Sequence, residues 1–288
     1  MNRSAWIVFT LIGIVVILSL MRRRVELPSN EGFVIQTTPT LWWFVDTEHP
    51  NRAGGYLQLT LNKLYETQGK SFTIKPLYGR KETLAQISNA NPRALLLPPD
   101  LWRIYVIANI CAQKGGLVMD GNSTLSLQPI ISFLDMDAAL FGVNPDEPIV
   151  SPSTAWNEGP APYLGWAASP QHPAWTFAAE KYNALVEAGQ QAWGAASARR
   201  AFLEISQKQR SYGALFVRGI DGSRRLDGTK LQLDDVFGKT PLQLPKQTVF
   251  ITYDGDELAR RFEYNWFLRL SADQIRESTC AWCLLARV

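Results

Sequence analysis

Cysteine and histidine are scarce in this chain of 288 residues, which contains three cysteines and two histidines. A small, odd number of cysteines argues against a disulfide framework of the kind that holds small secreted domains together. Lys and Arg exceed Asp and Glu by only three, and they are scattered along the chain. This excludes a dedicated nucleic-acid binder, which needs a concentrated basic surface. Hydrophobic residues, at 46% of the chain, suffice for one substantial core.

The N-terminus carries a long apolar run. Residues 5–21 are apolar except for Thr10 and Ser19, and three arginines at 22–24 end the run. A membrane-spanning helix needs about 20 residues, so this run is at the short end of the range. A secretory signal peptide is the alternative, but no small-x-small cleavage pattern follows the run. Because the three arginines stand after the run, we expect a single-pass anchor whose C-terminal domain stays in the cytoplasm.

Three segments are expected: a membrane anchor with its basic flank at 1–24, a tether at 25–39, and a folded domain at 40–288. Strand-like and helix-like patterns alternate in the domain. The predicted strands are 40–46, 71–77, 94–97, 117–119, 214–218, 230–236 and 248–253. The predicted helices are 53–68, 82–88, 101–113, 174–188, 192–209 and one that begins with a capping box at Ser271 and Gln274. Residues 142–165 are expected to form a long surface loop. This alternation predicts an α/β fold, with helices flanking a mostly parallel sheet and one transmembrane helix preceding it.

A candidate site follows the helix predicted at 101–113. Gly115 and Gly116 permit a tight turn into a short apolar strand, which delivers Asp120 at its carboxyl end. Ligands of open α/β sheets bind at the carboxyl ends of strands. The carboxylate of Asp120 and the amide carbonyl of Asn122 are the hard oxygen ligands that Mg²⁺ and Mn²⁺ prefer. A cation held there would neutralise the charge of a diphosphate.

The segment from Asp100 to Asn122 resembles the sugar-binding region of the DXD-containing GT-A glycosyltransferases, which include fungal mannosyltransferases and capsular polysaccharide enzymes. The resemblance is densest at 100–130, and weaker similarity reaches from 41–46 to 169–173. In that family an Asp-x-Asp holds a divalent metal against the diphosphate of a nucleotide sugar. The resemblance therefore implies a GT-A-like domain at 40–288 with Mn²⁺ or Mg²⁺ as cofactor. It also implies retaining transfer of a sugar from a nucleotide-sugar donor to the hydroxyl of an unidentified acceptor.

The roles expected from this resemblance centre on Asp120, as the catalytic residue and a metal ligand. Asn122 and His172 are the other expected metal ligands. An indole covers a base or a sugar ring well, so two tryptophans join the donor site. The expected donor-binding residues are Trp43, Asp46, Asp100, Arg103, Gly115, Gly116 and Trp166.

Each of these assignments has a structural alternative. Asp100 is a favourable acid at a helix N-terminus, and Arg103 is equally suited to a structural ion pair. Gly115 and Gly116 are a common helix stop, and 120–122 has the composition of an ordinary turn. His172 has the alternative of an exposed loop residue.

Two differences from the family pattern support a second function. Asn122 stands where the family has its second carboxylate. Asp100 and Arg103 lie about one helical turn farther from Gly115 than the family's Asp-x-x-Arg does. A non-catalytic protein that keeps the glycosyltransferase fold as a membrane-tethered structural or binding module is therefore the alternative. Cys280 and Cys283 have the C-x-x-C spacing of zinc and redox sites. Without a second pair or a neighbouring histidine, they favour a helix face over a zinc site.

Overall fold

The computed structural model describes residues 38–46, 54–130, 138–141, 164–193, 215–217 and 231–287, apart from 241, 245, 247 and 254. The chain divides into two compact units, 1–37 and 38–288, and the first lies outside the described residues. Within the described part, no helix is both long and apolar enough to cross a membrane. The predicted anchor at 1–24 and most of the predicted tether lie outside the described residues.

In the described part of the chain, eight strands form two sheets. The larger sheet has the order β2-β1-β3-β6-β5-β7, and the smaller one pairs β4 with β8. In chain order the strands are β1 Thr40–Val45, β2 Thr73–Tyr78, β3 Gly116–Asp120, β4 Thr124–Ser126, β5 Ala138–Phe141, β6 Leu164–Ala167, β7 Leu215–Val217 and β8 Phe250–Thr252. β1 runs parallel to β2 and β3, and β5 runs parallel to β7. β6 is antiparallel to both of its neighbours. The expected α/β fold with a mostly parallel sheet is therefore confirmed.

The described helices are α1 Gly55–Gln68, α2 Gly79–Leu84, α3 Pro99–Lys114, α4 Pro173–Ala188, α5 Leu233–Phe237, α6 Gly255–Arg260, α7 Phe262–Asn265, α8 Ala272–Glu277 and α9 Ala281–Ala286. Short 3-10 helices lie at Pro92–Leu96, Gln190–Ala192 and Phe267–Arg269. α3 begins with a proline in its first turn and an acid beside it, both of which suit a helix N-terminus. Its residues 101–112 are all buried, so it is a core helix rather than an amphipathic surface helix.

The larger sheet has a hydrophobic core on each face, because the side chains of β1 alternate between the two faces. Trp42 and Phe44 pack with α3 and α4. Leu41, Trp43 and Val45 pack on the opposite face with α1 and the C-terminal helices. The domain is thus a helix-sheet-helix sandwich with the carboxyl ends of β1, β2 and β3 along one edge.

Two strand predictions are wrong. Residues 94–96 belong to the 3-10 helix Pro92–Leu96, and Leu97 is its C-cap. Pro92 suits the first turn, and the Asn91 side chain accepts from the Arg93 amide at 3.0 Å. Residues 230–236 overlap helix α5. The alternation of Leu231 and Leu233 suggested a strand, but a capping box starts a helical turn there. In that box the Gln232 amide donates to Asp235 at 2.8 Å.

The other strand predictions are confirmed within two residues at each end, and the helices before residue 190 are confirmed within four. The capping box at Ser271 and Gln274 is confirmed at the start of α8. Sequence reasoning missed β4, β5 and β6, and β6 ends the predicted loop at 142–165. Most of that loop, and the predicted helix at 192–209 beyond residue 193, lie outside the described residues.

Candidate functional site

Acidic residues mark the carboxyl edge of the parallel strands. Asp120 is the last residue of β3 and pairs with Phe44 of β1 across the sheet. Asp46 directly follows β1 and is 5% exposed, whereas Asp120 is 4% exposed. Both side chains fall on the α3 face of the sheet, because Phe44 two residues earlier lies in the core of that face. The sequence-based placement of Asp120 at a strand end is correct.

Arg103 of α3 links two of the expected site residues. Its Nη2 lies 2.6 Å from Oδ1 of Asp100, and its Nη1 lies 3.4 Å from Oδ2 of Asp120. The side chains of Arg103 and Asp120 are 4% and 6% exposed, so water screens this pair little. The three residues form a charged cluster at the carboxyl edge.

The turn after β3 folds back on Asp120. The amide nitrogen of Asn122 donates to Oδ1 of Asp120 at 2.9 Å, and its side-chain Nδ2 donates to the same oxygen at 3.3 Å. The Ser123 amide closes the turn on the Asp120 carbonyl at 3.3 Å. Among the described residues, the buried Oδ1 of Asn122 has no hydrogen-bond partner. A buried acceptor without a partner is costly, so this oxygen is suited to a ligand.

Trp43 lies against this turn. A Cβ on Gly121 would lie 2.3 Å from Cε2 and 2.4 Å from Nε1 of the indole, so only glycine fits there. Trp43 is fully buried, and its Nε1 also lacks a partner within the described part of the chain. Among the described residues, two buried atoms at the turn therefore lack a hydrogen-bond partner. They are the acceptor Oδ1 of Asn122 and the donor Nε1 of Trp43, whose indole lies against Gly121. Trp43 was expected to lie beside the nucleotide-sugar donor. The structure packs its buried indole against Gly121 of the turn.

Arg80 is a charged residue of this edge that sequence reasoning missed. Its Nε and Nη2 lie 2.9 Å and 2.8 Å from Oδ2 of Asp46, and its Nη1 donates to the carbonyls of Leu95 and Leu97. The guanidinium carbon also lies 5.3 Å from the ring centroid of Trp102. These contacts fix Arg80 in place and make Asp46 its ion-pair partner. The pair joins the end of β1 to α2 and to the 3-10 helix before α3.

Four expected site residues lie away from Asp120. Gly115 and Gly116 have φ of 68° and 90°, which favours glycine, and they make the turn from α3 into the amino end of β3. The five residues of β3 place them about 13 Å from its carboxyl end. They are therefore a structural helix stop and are not at the candidate site.

The direction of β6 determines the positions of His172 and Trp166. This strand is antiparallel to β3, and Ala167 at its end pairs with Gly116. His172 therefore lies near the amino edge, where it caps α4 by accepting from the Ala174 amide at 3.2 Å through Nδ1. Trp166 pairs with Leu117 inside the sheet and is 3% exposed. Neither residue lies at the edge that carries Asp120.

Of the three expected metal ligands, Asp120 and Asn122 lie together at this edge. Within the described ranges, no group of three or more His, Cys, Asp or Glu side chains is placed to hold a metal ion. Magnesium sites often use one or two protein oxygens and complete the shell with phosphate and water, so a pair of ligands fits that type of site. Cys280 caps α9, and Cys283 lies within it. The two form a disulfide, which the helix-face interpretation did not include.

The smaller sheet brings a second set of missed residues to the turn. Pairing of β4 with β8 places Tyr253 and Gly255 beside the turn, where the Tyr253 amide donates to the Ser123 carbonyl at 2.9 Å. A Cβ on Gly255 would lie 2.4 Å from the Asn122 carbonyl oxygen. The hydroxyl of Tyr56, from α1, also donates to that carbonyl. No local sequence pattern marks these contacts.

Comparisons of the chain with protein-family models, with curated proteins and with solved structures found no match. A function can therefore be inferred only from the site itself.

Proposed function

We propose that this protein is a glycosyltransferase with a GT-A-like domain, which transfers a sugar from a nucleotide-sugar donor to a hydroxyl acceptor with the help of Mn²⁺ or Mg²⁺. The observation that carries the proposal is the turn at Asp120 and Asn122. It places a carboxylate and a buried amide oxygen without a described partner at the carboxyl end of a central parallel strand. That edge is where open α/β sheets bind ligands.

The residues of the turn fit a divalent cation. Asp120 offers a carboxylate, and Asn122 offers the amide oxygen, while the Asn122 Nδ2 contact at 3.3 Å keeps the amide beside that carboxylate. When bound, the cation would neutralise the diphosphate and stabilise it as the leaving group. Oδ2 of Asp120 lies 3.4 Å from Nη1 of Arg103, so the guanidinium of Arg103 orients the carboxylate.

Arg103 is proposed to orient Asp120 and to bind a phosphate or sugar hydroxyl through its planar guanidinium group. Asp100 holds the other side of that fork at 2.6 Å, which keeps the guanidinium at the edge of the sheet. Asp46 has a different role, because Arg80 takes two of its contacts. We therefore propose Asp120, Asn122, Arg103 and Asp100 as the donor-side residues.

A non-catalytic role is the second candidate, and one contact favours it. Arg103 lies 3.4 Å from Asp120, so a cation already compensates the single carboxylate of the turn. With Asn122 in place of a second carboxylate, the affinity for a divalent metal is lower than at a two-carboxylate site. A membrane-tethered module that binds a nucleotide sugar without transferring it fits the same geometry.

Attachment to a membrane through 1–24, with the domain on the cytoplasmic side, is part of the proposal and depends on the sequence alone. A C-terminal tag accessible to protease in sealed microsomes supports this orientation. A protected tag contradicts it.

Calorimetric titration with a panel of nucleotide sugars, with and without Mn²⁺, tests the function. The proposal predicts metal-dependent binding that Asp120→Ala abolishes. Asp273→Ala, at a side chain that is 86% exposed in α8, is the surface control and leaves binding unchanged. Binding that persists in Asp120→Ala would refute the assignment of this turn.

A further inference from the structure

A buried row of hydrogen bonds joins the C-terminal helix α9 to the candidate site. Nε1 of Trp282 lies 3.2 Å from the Tyr253 hydroxyl, which lies 2.5 Å from the Tyr56 hydroxyl. The Tyr56 hydroxyl in turn donates to the Asn122 carbonyl at 2.5 Å. The three side chains are between fully buried and 5% exposed. They come from α1, from the segment after β8, and from α9, so three separate parts of the chain converge on one carbonyl.

The chemistry of the two ends fixes the direction of every bond in the row. An indole nitrogen only donates and a carbonyl oxygen only accepts, whereas each hydroxyl has one proton. Tyr56 uses its proton on Asn122, so Tyr253 must donate to Tyr56 and accept from Trp282. All the bonds therefore point towards the site, and bonds in such a row strengthen one another.

The row ends on the peptide unit that shapes the turn. The carbonyl of Asn122 and the amide of Ser123 belong to the same planar unit. That amide closes the turn on the Asp120 carbonyl. Gly255 packs against the same carbonyl with no space for a Cβ. Tyr56 and Gly255 therefore determine together how this peptide plane is oriented.

We propose that Tyr253 and Tyr56 are positioning residues of the candidate site. They hold the peptide unit after Asn122, so that the side chain of Asn122 keeps its contact with Asp120. The structural part of this inference stands on the hydrogen bonds alone. Its effect on metal binding rests on the proposed function.

The environment of Tyr253 keeps its hydroxyl in the protonated form that donates. Burial raises the pKa of Tyr253, and the negative charge of Asp120 contributes in the same direction, while the hydrogen bonds to Tyr56 and Trp282 act against it. Tyr253 therefore stays a donor over the physiological pH range.

Tyr253→Phe and Tyr56→Phe in the full chain test the inference, with Tyr182→Phe as a matched control. Tyr182 is also buried, but within the described residues its hydroxyl has no partner, and it lies in the core on the other face of the sheet. The first measurement is amide hydrogen exchange of a peptide covering 120–126, with β2 as reference. Loss of one buried hydrogen bond predicts about tenfold faster exchange in 120–126 and an unchanged exchange rate in β2. Two variants are used so that the test remains valid if one fails to fold.

The second measurement is the affinity for Mn²⁺ in the presence of uridine diphosphate and of guanosine diphosphate in turn, followed by electron paramagnetic resonance. Weaker Mn²⁺ binding in both tyrosine variants, with Tyr182→Phe unchanged, supports the inference. Unchanged exchange and affinity in the variants overturn it and leave the proposed function standing. Exchange that rises equally in every peptide overturns it too, because that indicates general destabilisation. Absence of Mn²⁺ binding in the wild type instead contradicts the proposed function, and exchange in 120–126 alone then decides the positioning role.

Discussion

Replacing Arg103 with methionine is expected to lower the free energy of unfolding by about 3–5 kcal/mol, because it removes the cation from a buried ion pair. At 3.4 Å, the separation of Nη1 from Oδ2 of Asp120, two unit charges attract by about 5 kcal/mol at an effective dielectric constant of about 20. Methionine keeps much of the length and apolar volume of the side chain, so a cavity contributes little to the loss. The electrostatic change therefore dominates.

The assay is equilibrium urea unfolding at pH 7, followed by tryptophan fluorescence. Asp100→Asn is the control, because its side chain is 34% exposed and its pair with Arg103 is screened by water. Loss of that pair is expected to cost less than about 1 kcal/mol. The double variant Arg103→Met with Asp120→Asn should be more stable than the sum of the two single effects by about 1–3 kcal/mol. Additive effects, or a loss in Arg103→Met no larger than that in Asp100→Asn, would refute the reasoning.

Three further predictions each concern a single feature of the structure. Gly121→Ala is expected to cost about 1–3 kcal/mol, because its Cβ would lie 2.3 Å from the Trp43 ring; an unchanged melting temperature would contradict the close packing. Replacing Cys280 and Cys283 with serine should cost about 2 kcal/mol by the chain-entropy relation for a four-residue loop. A thiol reductant should then lower the urea midpoint of the wild type but not of the variant. Burial raises the pKa of Tyr182 in the folded protein above its unfolded value of about 10. Above that unfolded value the unfolded state loses its proton first, so the free energy of unfolding falls by about 1.4 kcal/mol per pH unit as the pH rises. Tyr182→Phe should flatten that alkaline decline, and an equal slope would contradict the assignment.

Local patterns sufficed for the position of Asp120. Its two signals were a glycine pair after a helix and a short apolar run before a polar turn. Both are patterns of neighbouring residues, and the structure has the expected helix, turn and strand end. Arg103 was predictable for a similar reason, since it lies within a helix that faces the strand. Its contact with Asp120 was not predictable, because one turn of register decides which acid on a neighbouring strand a helical arginine reaches.

Long-range pairing was out of reach of the sequence. Tyr56 and Tyr253 are 197 positions apart, and no local pattern connects them. His172 and Trp166 were misplaced because the antiparallel direction of β6 returns the chain to the amino edge of β3. Chain direction in a sheet depends on tertiary packing, whereas the apolar run of a strand reads the same in both directions.

The release of nucleoside diphosphate from nucleotide sugars tests the central claim most directly. The full chain is incubated with each donor of the panel, with Mn²⁺ or with a chelator, and free diphosphate is measured together with the transferred or released sugar. The account predicts Mn²⁺-dependent release from at least one donor and its loss in Asp120→Asn, which keeps the size of the side chain but removes its charge. Equal release in Asp120→Asn, or no binding and no release with any donor of the panel, would contradict the account.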